Sequence, residues 1–170
     1  MTVTERVPDL AEEIVGWRAW RLIGTERLPL LASVSAASFI WHPGRWTVAT
    51  CQGEDHCTRF PPGTEGFDGG VPGECCTCGM YAAASRTQLV SLGYNRGSEA
   101  NPVLIGEAAL VGKVIPGTQG WRAEKGRIRK LYVPFSDWRF VEPLQALYSV
   151  PVELDNTFKA ESAFARPGRR

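Results

Sequence analysis

Residues 50–82 read TCQGEDHCTRFPPGTEGFDGGVPGECCTCGMYA and contain all five cysteines of the chain and one of its two histidines. Thiolate and imidazole groups are the ligands that a structural zinc ion takes, four at a time and in a tetrahedral arrangement. We therefore predict one structural Zn²⁺ per chain in this stretch. The ion would tie an irregular loop to the start of a packed element.

Six side chains here are candidate ligands, two more than a tetrahedral ion needs. One residue separates Cys76 from Cys78, so both sulfurs can face one ion, and the glycine that follows permits a tight turn. Cys51 follows a predicted strand, which gives it a defined position. Neighbouring side chains of an extended chain point apart, so His56 and Cys57 compete for the fourth place. The predicted ligands are Cys51, His56, Cys76 and Cys78, with Cys57 and Cys75 as alternates.

Two alternatives to metal binding stay open for the cysteine cluster. The cysteines could be small buried apolar residues, or they could form disulfides in an oxidising compartment. The first 15 residues carry acidic side chains and no apolar segment typical of a signal peptide, and no run of about 18 apolar residues predicts a membrane span. We therefore expect a cytoplasmic location, where thiols stay reduced and clustered cysteines bind metal.

The composition, with 44% apolar and 22% charged residues, is typical of a soluble globular protein. A net charge of +1 argues against a protein that mainly coats nucleic acid or an anionic membrane. We expect a lead-in over residues 1–14, either a surface helix or a disordered tail. A single zinc-stabilised α+β domain is predicted over residues 15–154, and a flexible basic tail over residues 155–170.

Apolar alternation predicts an N-terminal hairpin over residues 15–34 and a short strand over residues 46–50 that leads into Cys51. A longer hairpin is predicted over residues 103–133, with a break at Gly126. Residues 150–154 are predicted to form an edge strand.

Two helices are predicted between and after these strands. Ser85 and Gln88 form a capping-box pattern, and Gly93 is placed to end the first helix. The second lies within residues 135–148, with Pro143 in its first turn. The predicted fold is α+β: a bent, mostly antiparallel sheet or partly closed β-barrel with two packed helices and a zinc-clipped loop.

A second candidate site lies on one predicted strand, where cations follow a tryptophan at close spacing. Interleaved aromatic and arginine side chains can stack nucleic-acid bases, and they are also favoured in protein-binding hot spots. A solvated strand face above a tryptophan-rich core is the simpler alternative. The residues are Trp121, Arg122, Lys125, Arg127, Arg129 and Lys130.

The chain lacks the H-E-x-x-H, G-x-S-x-G and G-x-x-x-x-G-K patterns and the deaminase pattern of H-x-E with P-C-x-x-C. The first functional hypothesis is a non-catalytic, zinc-stabilised module that binds a protein partner. The alternative is a nucleic-acid-binding module that uses the Trp/Arg-rich strand. The second alternative is a zinc-dependent hydrolase, which would need an open coordination position and a general base.

Several motifs occur in a fixed order: GWRAW at 16–20, the Cys/His knuckle, CTCGMYA at 76–82, IGEAALVGKV at 105–114, GWRAE at 120–124 and LYVP at 131–134. This series resembles a group of small proteins of actinobacteria and their phages with no established activity, over about residues 15–154. In that group a Cys and a His precede C-x-C-G, which implies zinc binding by Cys51, His56, Cys76 and Cys78. This chain departs by a long Gly-rich insertion and by the extra thiols of Cys57 and Cys75, which leaves the fourth ligand open.

Overall fold

The computed structural model describes residues 10–36, 38–51, 70–73, 77–94, 97 and 102–155. Strands dominate this part of the chain, and two short α-helices and one 3₁₀ helix accompany them. The elements are β1 (Leu10–Thr25), β2 (Leu28–Ser33), β3 (Ile40–Trp41), β4 (Thr47–Val48), β5 (Met80–Ala83), α1 (Arg86–Ser91), β6 (Val103–Gly117), β7 (Gly120–Pro134), the 3₁₀ helix (Phe135–Phe140), α2 (Val141–Tyr148) and β8 (Val152–Asp155).

The strands form one mixed sheet with partly ring-like hydrogen bonding. Strand β1 pairs with β6, β6 with β7, β7 with β5, and β5 returns to β1 through the pair Trp17 and Ala83. Strands β2 and β3 extend from β1, while β4 and β8 attach to β7. Among the described residues the β7–β8 pair is parallel and the other pairs are antiparallel, so the prediction of a mostly antiparallel sheet with two helices is confirmed.

The apolar side chains form two clusters because successive residues of a strand point to opposite faces. Trp20 of β1 lies in the larger cluster, which α2 covers with Leu144 and Tyr148. Ala19 lies in the smaller cluster with Leu89 of α1. Full burial of a large apolar side chain contributes about 1.5–3 kcal/mol, so the larger cluster supplies most of the hydrophobic stabilisation.

The N-terminal hairpin is confirmed, but its first strand is longer than predicted. Strand β1 begins at Leu10, so residues 10–14 continue the strand instead of forming the expected surface helix or tail. They pair with β6 across a register shift between Leu10 and Ile14. Residues 1–9 of the predicted lead-in and residues 156–170 of the predicted tail lie outside the described residues.

The predicted break at Gly126 is wrong, because β7 runs without interruption from Gly120 to Pro134. Gly126 is instead a point of close approach. A Cβ atom there would lie 3.0 Å from the Trp41 ring and 3.1 Å from the Met80 sulfur. The missing side chain therefore lets β7 pack directly against two buried side chains of the core.

Both predicted helices are present. Ser85 Oγ accepts a hydrogen bond from the Gln88 N–H at 3.2 Å, and Gly93, at φ +78°, follows the end of α1. The second helical region divides into the 3₁₀ helix and α2, and Pro143 lies in the first turn of α2 as predicted. The predicted edge strand is β8, whose Asp155 is buried and forms an ion pair with Arg86.

Candidate metal centre and surrounding surfaces

Strands β4 and β5 lie end to end along the same edge of β7. The Ala49 N–H donates to the Glu124 carbonyl oxygen at 2.7 Å, and Met80 pairs with Ala123, the preceding residue of β7. The chain therefore leaves the sheet after Ala49 and returns at Met80 in the adjacent register position. We call residues 50–79, the part of the chain between these two points, the excursion, and the sheet itself holds its two ends together.

Cys51 and Cys78 lie at the two ends of this excursion, and their sulfur atoms are 3.3 Å apart. A disulfide requires about 2.05 Å between the sulfurs, so the two residues are not bonded to each other. A zinc ion binds each thiolate at about 2.3 Å, so two sulfurs at this separation can both reach one ion. Both side chains are partly buried, which limits competition from water.

The structure describes two of the four predicted ligands, Cys51 and Cys78, and brings them together. His56, Cys76 and the alternates Cys57 and Cys75 lie outside the described residues. Within the described ranges, no group of three or more metal-binding side chains is found.

Arg122 of β7 forms hydrogen bonds with two points on the chain that precedes β5. Its Nη1 donates to the Cys78 carbonyl oxygen at 3.2 Å, and its Nη2 donates to the Gly73 carbonyl oxygen at 3.3 Å. Gly79 follows at φ +135°, where a Cβ would lie 3.1 Å from Pro72 and 3.3 Å from the Arg122 Cβ. Arg122, predicted as a partner-binding residue, thus positions the backbone that carries Cys78.

The other cations of the predicted binding strand form ion pairs within the chain. Arg127 and Arg129 share the carboxylate of Glu13, the second at 3.1 Å. A hydrogen bond to Glu153 raises the pKa of Lys130, and a hydrogen bond from Lys125 lowers the pKa of Glu124. Trp121 is partly buried and packs against the larger core cluster. These pairs reduce the positive potential that this strand presents to a phosphate backbone.

Among the residues that the structure describes, the most exposed aromatic side chains lie elsewhere, in the 3₁₀ helix. Phe135 is 62% exposed and Trp138 is 64% exposed. They are three residues apart, and the backbone is kinked between them at Asp137 (φ −111°, ψ 19°). Sequence reasoning placed both in a helical segment but did not single them out as surface residues. The only signal was the polar setting of Trp138, which lies between Asp137 and Arg139.

No protein-family model, no curated protein and no solved structure matches the chain. What the chain does is therefore inferred from the geometry of its own residues. Within the part of the chain that the structure describes, no helix is both long and apolar enough to cross a bilayer.

Proposed function

We propose that the chain is a non-catalytic, zinc-stabilised binding module that recognises a protein partner. The observation that supports the metal most strongly is the 3.3 Å separation of the Cys51 and Cys78 sulfurs at the base of the excursion. In this proposal His56 and Cys76 supply the other two ligands. The ion would clip a long loop whose closure otherwise costs conformational entropy.

The residues around the two cysteines suit such an ion. Three thiolates and one neutral imidazole around Zn²⁺ leave one net negative charge. The Arg122 guanidinium, which binds the Cys78 carbonyl, supplies a positive charge beside it. Four protein ligands leave no open coordination position, so the proposal is structural rather than catalytic. The second alternative, a zinc-dependent hydrolase, requires a water on the ion in place of one of these ligands.

Elemental analysis of single Cys→Ser variants tests the metal. We expect one zinc in the wild type, loss of zinc in Cys51→Ser, Cys76→Ser and Cys78→Ser, and retention in the matched control Cys75→Ser. Each loss should lower stability by several kcal/mol, because metal binding is coupled to folding. A zinc-free wild type with reduced thiols, and an unchanged melting temperature in all four variants, would contradict the proposal.

The choice of a protein partner is supported by Phe135 and Trp138. Aromatic residues are typical of protein-binding hot spots, and Trp is enriched among them. The test is quantitative affinity capture by the wild type, by Phe135→Ala/Trp138→Ala and by a control double variant. Leu28→Ala/Leu154→Ala is a suitable control, since these side chains are 55% and 45% exposed. We expect Phe135→Ala/Trp138→Ala, but not the control, to lose specific partners. Equal recovery of partners by all three proteins would show that Phe135 and Trp138 do not bind them.

One observation favours nucleic acid as the alternative ligand. The Arg127 guanidinium lies 4.7 Å above the Trp46 ring, at a cavity of about 350 Å³ that Arg45 and Arg129 also line. Such a surface can stack a base and contact a phosphate. Binding to single- or double-stranded DNA or RNA should then weaken steeply as salt rises from about 50 mM. No binding at the low salt concentration would remove this alternative.

A further inference from the structure

Arg18 is a cation on β1 whose side chain reaches three other strands. Its Nη1 donates to the Tyr81 carbonyl oxygen of β5, and its Nη2 donates to Ser33 Oγ of β2 at 3.0 Å. The guanidinium carbon lies 4.8 Å above the ring of Trp41 on β3. The head group is therefore held in one place by the sheet.

Arg18 forms no ion pair with a carboxylate among the described residues, and the acidic side chain that interacts with it electrostatically is the phenol of Tyr94. The ion pairs of the described residues involve other cations, and each hydrogen bond of Arg18 goes to a neutral oxygen. Its Nε is buried without a hydrogen-bond partner. Burial lowers the pKa of Arg18 to about 10, so the group stays charged at neutral pH although its surroundings disfavour the charge. An uncompensated charge of this kind is costly unless an anion pairs with it.

Arg18 lines a cleft of about 1000 Å³ between β1, β5 and α1. Apolar and aromatic side chains form much of its wall, among them Trp17, Leu89, Leu92 and Tyr94. Ser33 lines the same cleft, so a few polar groups converge within a largely apolar lining. Small-molecule sites share this composition, and their volumes are about 300–1,000 Å³.

We propose that this cleft binds a small organic carboxylate, with its carboxylate paired to Arg18 and its apolar body against the aromatic wall. Arginine binds carboxylates through charge-assisted hydrogen bonds, which are about twice as strong as neutral ones. Two cations, Arg18 and Arg122, line the described part of the cleft. A carboxylate carries one negative charge and matches the guanidinium of Arg18. A phosphate dianion would need a second cation, and the Nη groups of Arg122 already donate to the Cys78 and Gly73 carbonyl oxygens, so desolvation of the second charge would oppose binding. Strands β2, β3 and β5 hold Arg18, and Cys78 of the proposed metal centre lines the same cleft, so binding is measured on protein whose zinc content is determined in parallel.

The test uses the full chain and two probes of the same shape, 4-phenylbutyrate and its neutral amide. Titration calorimetry and the ¹⁵N shifts of Arg18 Nε–H and Trp41 Nε1–H report binding. We expect one saturable carboxylate site, with the amide binding about tenfold or more weakly because it lacks the charge. Equal affinity for the two probes would overturn the proposal. So would the absence of saturable binding of the carboxylate below about 10 mM, which corresponds to less than 3 kcal/mol.

Variants separate ligand binding from the role of Arg18 in joining strands. In Arg18→Met the preference for the carboxylate over the amide should disappear. The control Arg27→Gln removes a cation from the exposed β1–β2 turn and should keep the preference. An Arg18→Met protein that folds and keeps the preference would overturn the proposal. If that variant fails to fold, the wild type still tests the proposal. The carboxylate, but not the amide, should then shift the Arg18 Nε–H resonance.

Discussion

Ala49 and Met80 lie opposite consecutive residues of β7, Glu124 and Ala123, although residues 50–79 separate them along the chain. The sheet therefore closes the base of the excursion without help from a metal. Cys51 lies two residues after Ala49, and Cys78 lies two residues before Met80, so both cysteines are just outside the paired strands. A metal at this point would stabilise the excursion more than the core.

Metal removal is the first prediction. Excess chelator should lower the melting temperature, while the far-UV circular dichroism of the sheet persists below the transition, because β4 and β5 stay paired with β7. Cys78→Ser should show the lower melting temperature without chelator and no further response to it. Loss of the sheet signal on chelation at 25 °C would show that the ion is required for the whole fold, as in small zinc domains.

The second prediction concerns Arg122, which donates to the Cys78 and Gly73 carbonyl oxygens. Arg122→Met removes both hydrogen bonds, so we expect a loss of about 1–3 kcal/mol and faster transfer of zinc to a competing chelator. Arg129→Met is the matched control on the same strand, because Arg129 is half-exposed and pairs with Glu13. Chemical denaturation and chelator competition measure the two effects. If both variants lost the same stability and transferred zinc at the same rate, Arg122 would have no specific role in supporting the metal centre.

Local signals in the sequence were sufficient for most individual elements. The Ser85 cap is a contact between near neighbours in the chain, so the pattern from Ser85 to Gln88 predicts it directly. The convergence of Cys51 and Cys78 was predictable for another reason. Metal chemistry restricts which side chains can cluster, whatever the distance between them along the chain.

Pairings between distant strands were not predictable in the same way. Alternation of apolar residues indicates which face of β7 is buried, but it does not show that β4 and β5 share one edge of it. The same limit explains the error at Gly126. A glycine in a strand indicates either an irregularity or a close approach, and the choice depends on Trp41 and Met80, which are remote in sequence.

The third prediction concerns Tyr148, whose hydroxyl accepts from the Leu31 N–H at 2.8 Å and donates to the Trp41 carbonyl at 2.9 Å. Burial raises the pKa of Tyr148 to about 12, above the value of about 10 in an unfolded chain. The unfolded state therefore loses its proton first as pH rises. The stability that the neutral hydroxyl contributes is fully present below pH of about 10 and is lost toward pH of about 12.

Tyr148→Phe should cost about 1–3 kcal/mol at neutral pH, because two buried backbone groups lose their partner. The same variant should lose less stability between neutral and alkaline pH than the wild type does. Urea denaturation across this range measures both effects. Tyr94→Phe, at a residue that is 45% exposed, should keep the alkaline dependence of the wild type. If Tyr148→Phe lost as much stability at alkaline pH as the wild type does, groups other than Tyr148 would cause that loss.

The last prediction uses Glu13, whose carboxylate pairs with both Arg127 and Arg129. Glu13→Gln should change the free energy of unfolding by less than about 1 kcal/mol, because these ion pairs are solvent-exposed. It should nevertheless free two neighbouring guanidinium groups beside Trp46. Retention on a heparin column should therefore extend to a higher salt concentration than in the wild type.

Glu12→Gln is the matched control, since it changes the net charge equally at an exposed residue next to Glu13. A larger shift for Glu13→Gln than for Glu12→Gln would show that Glu13 masks a local anion-binding surface. Equal shifts would show that net charge alone governs retention, and the basic strand would then lose its support as a nucleic-acid site.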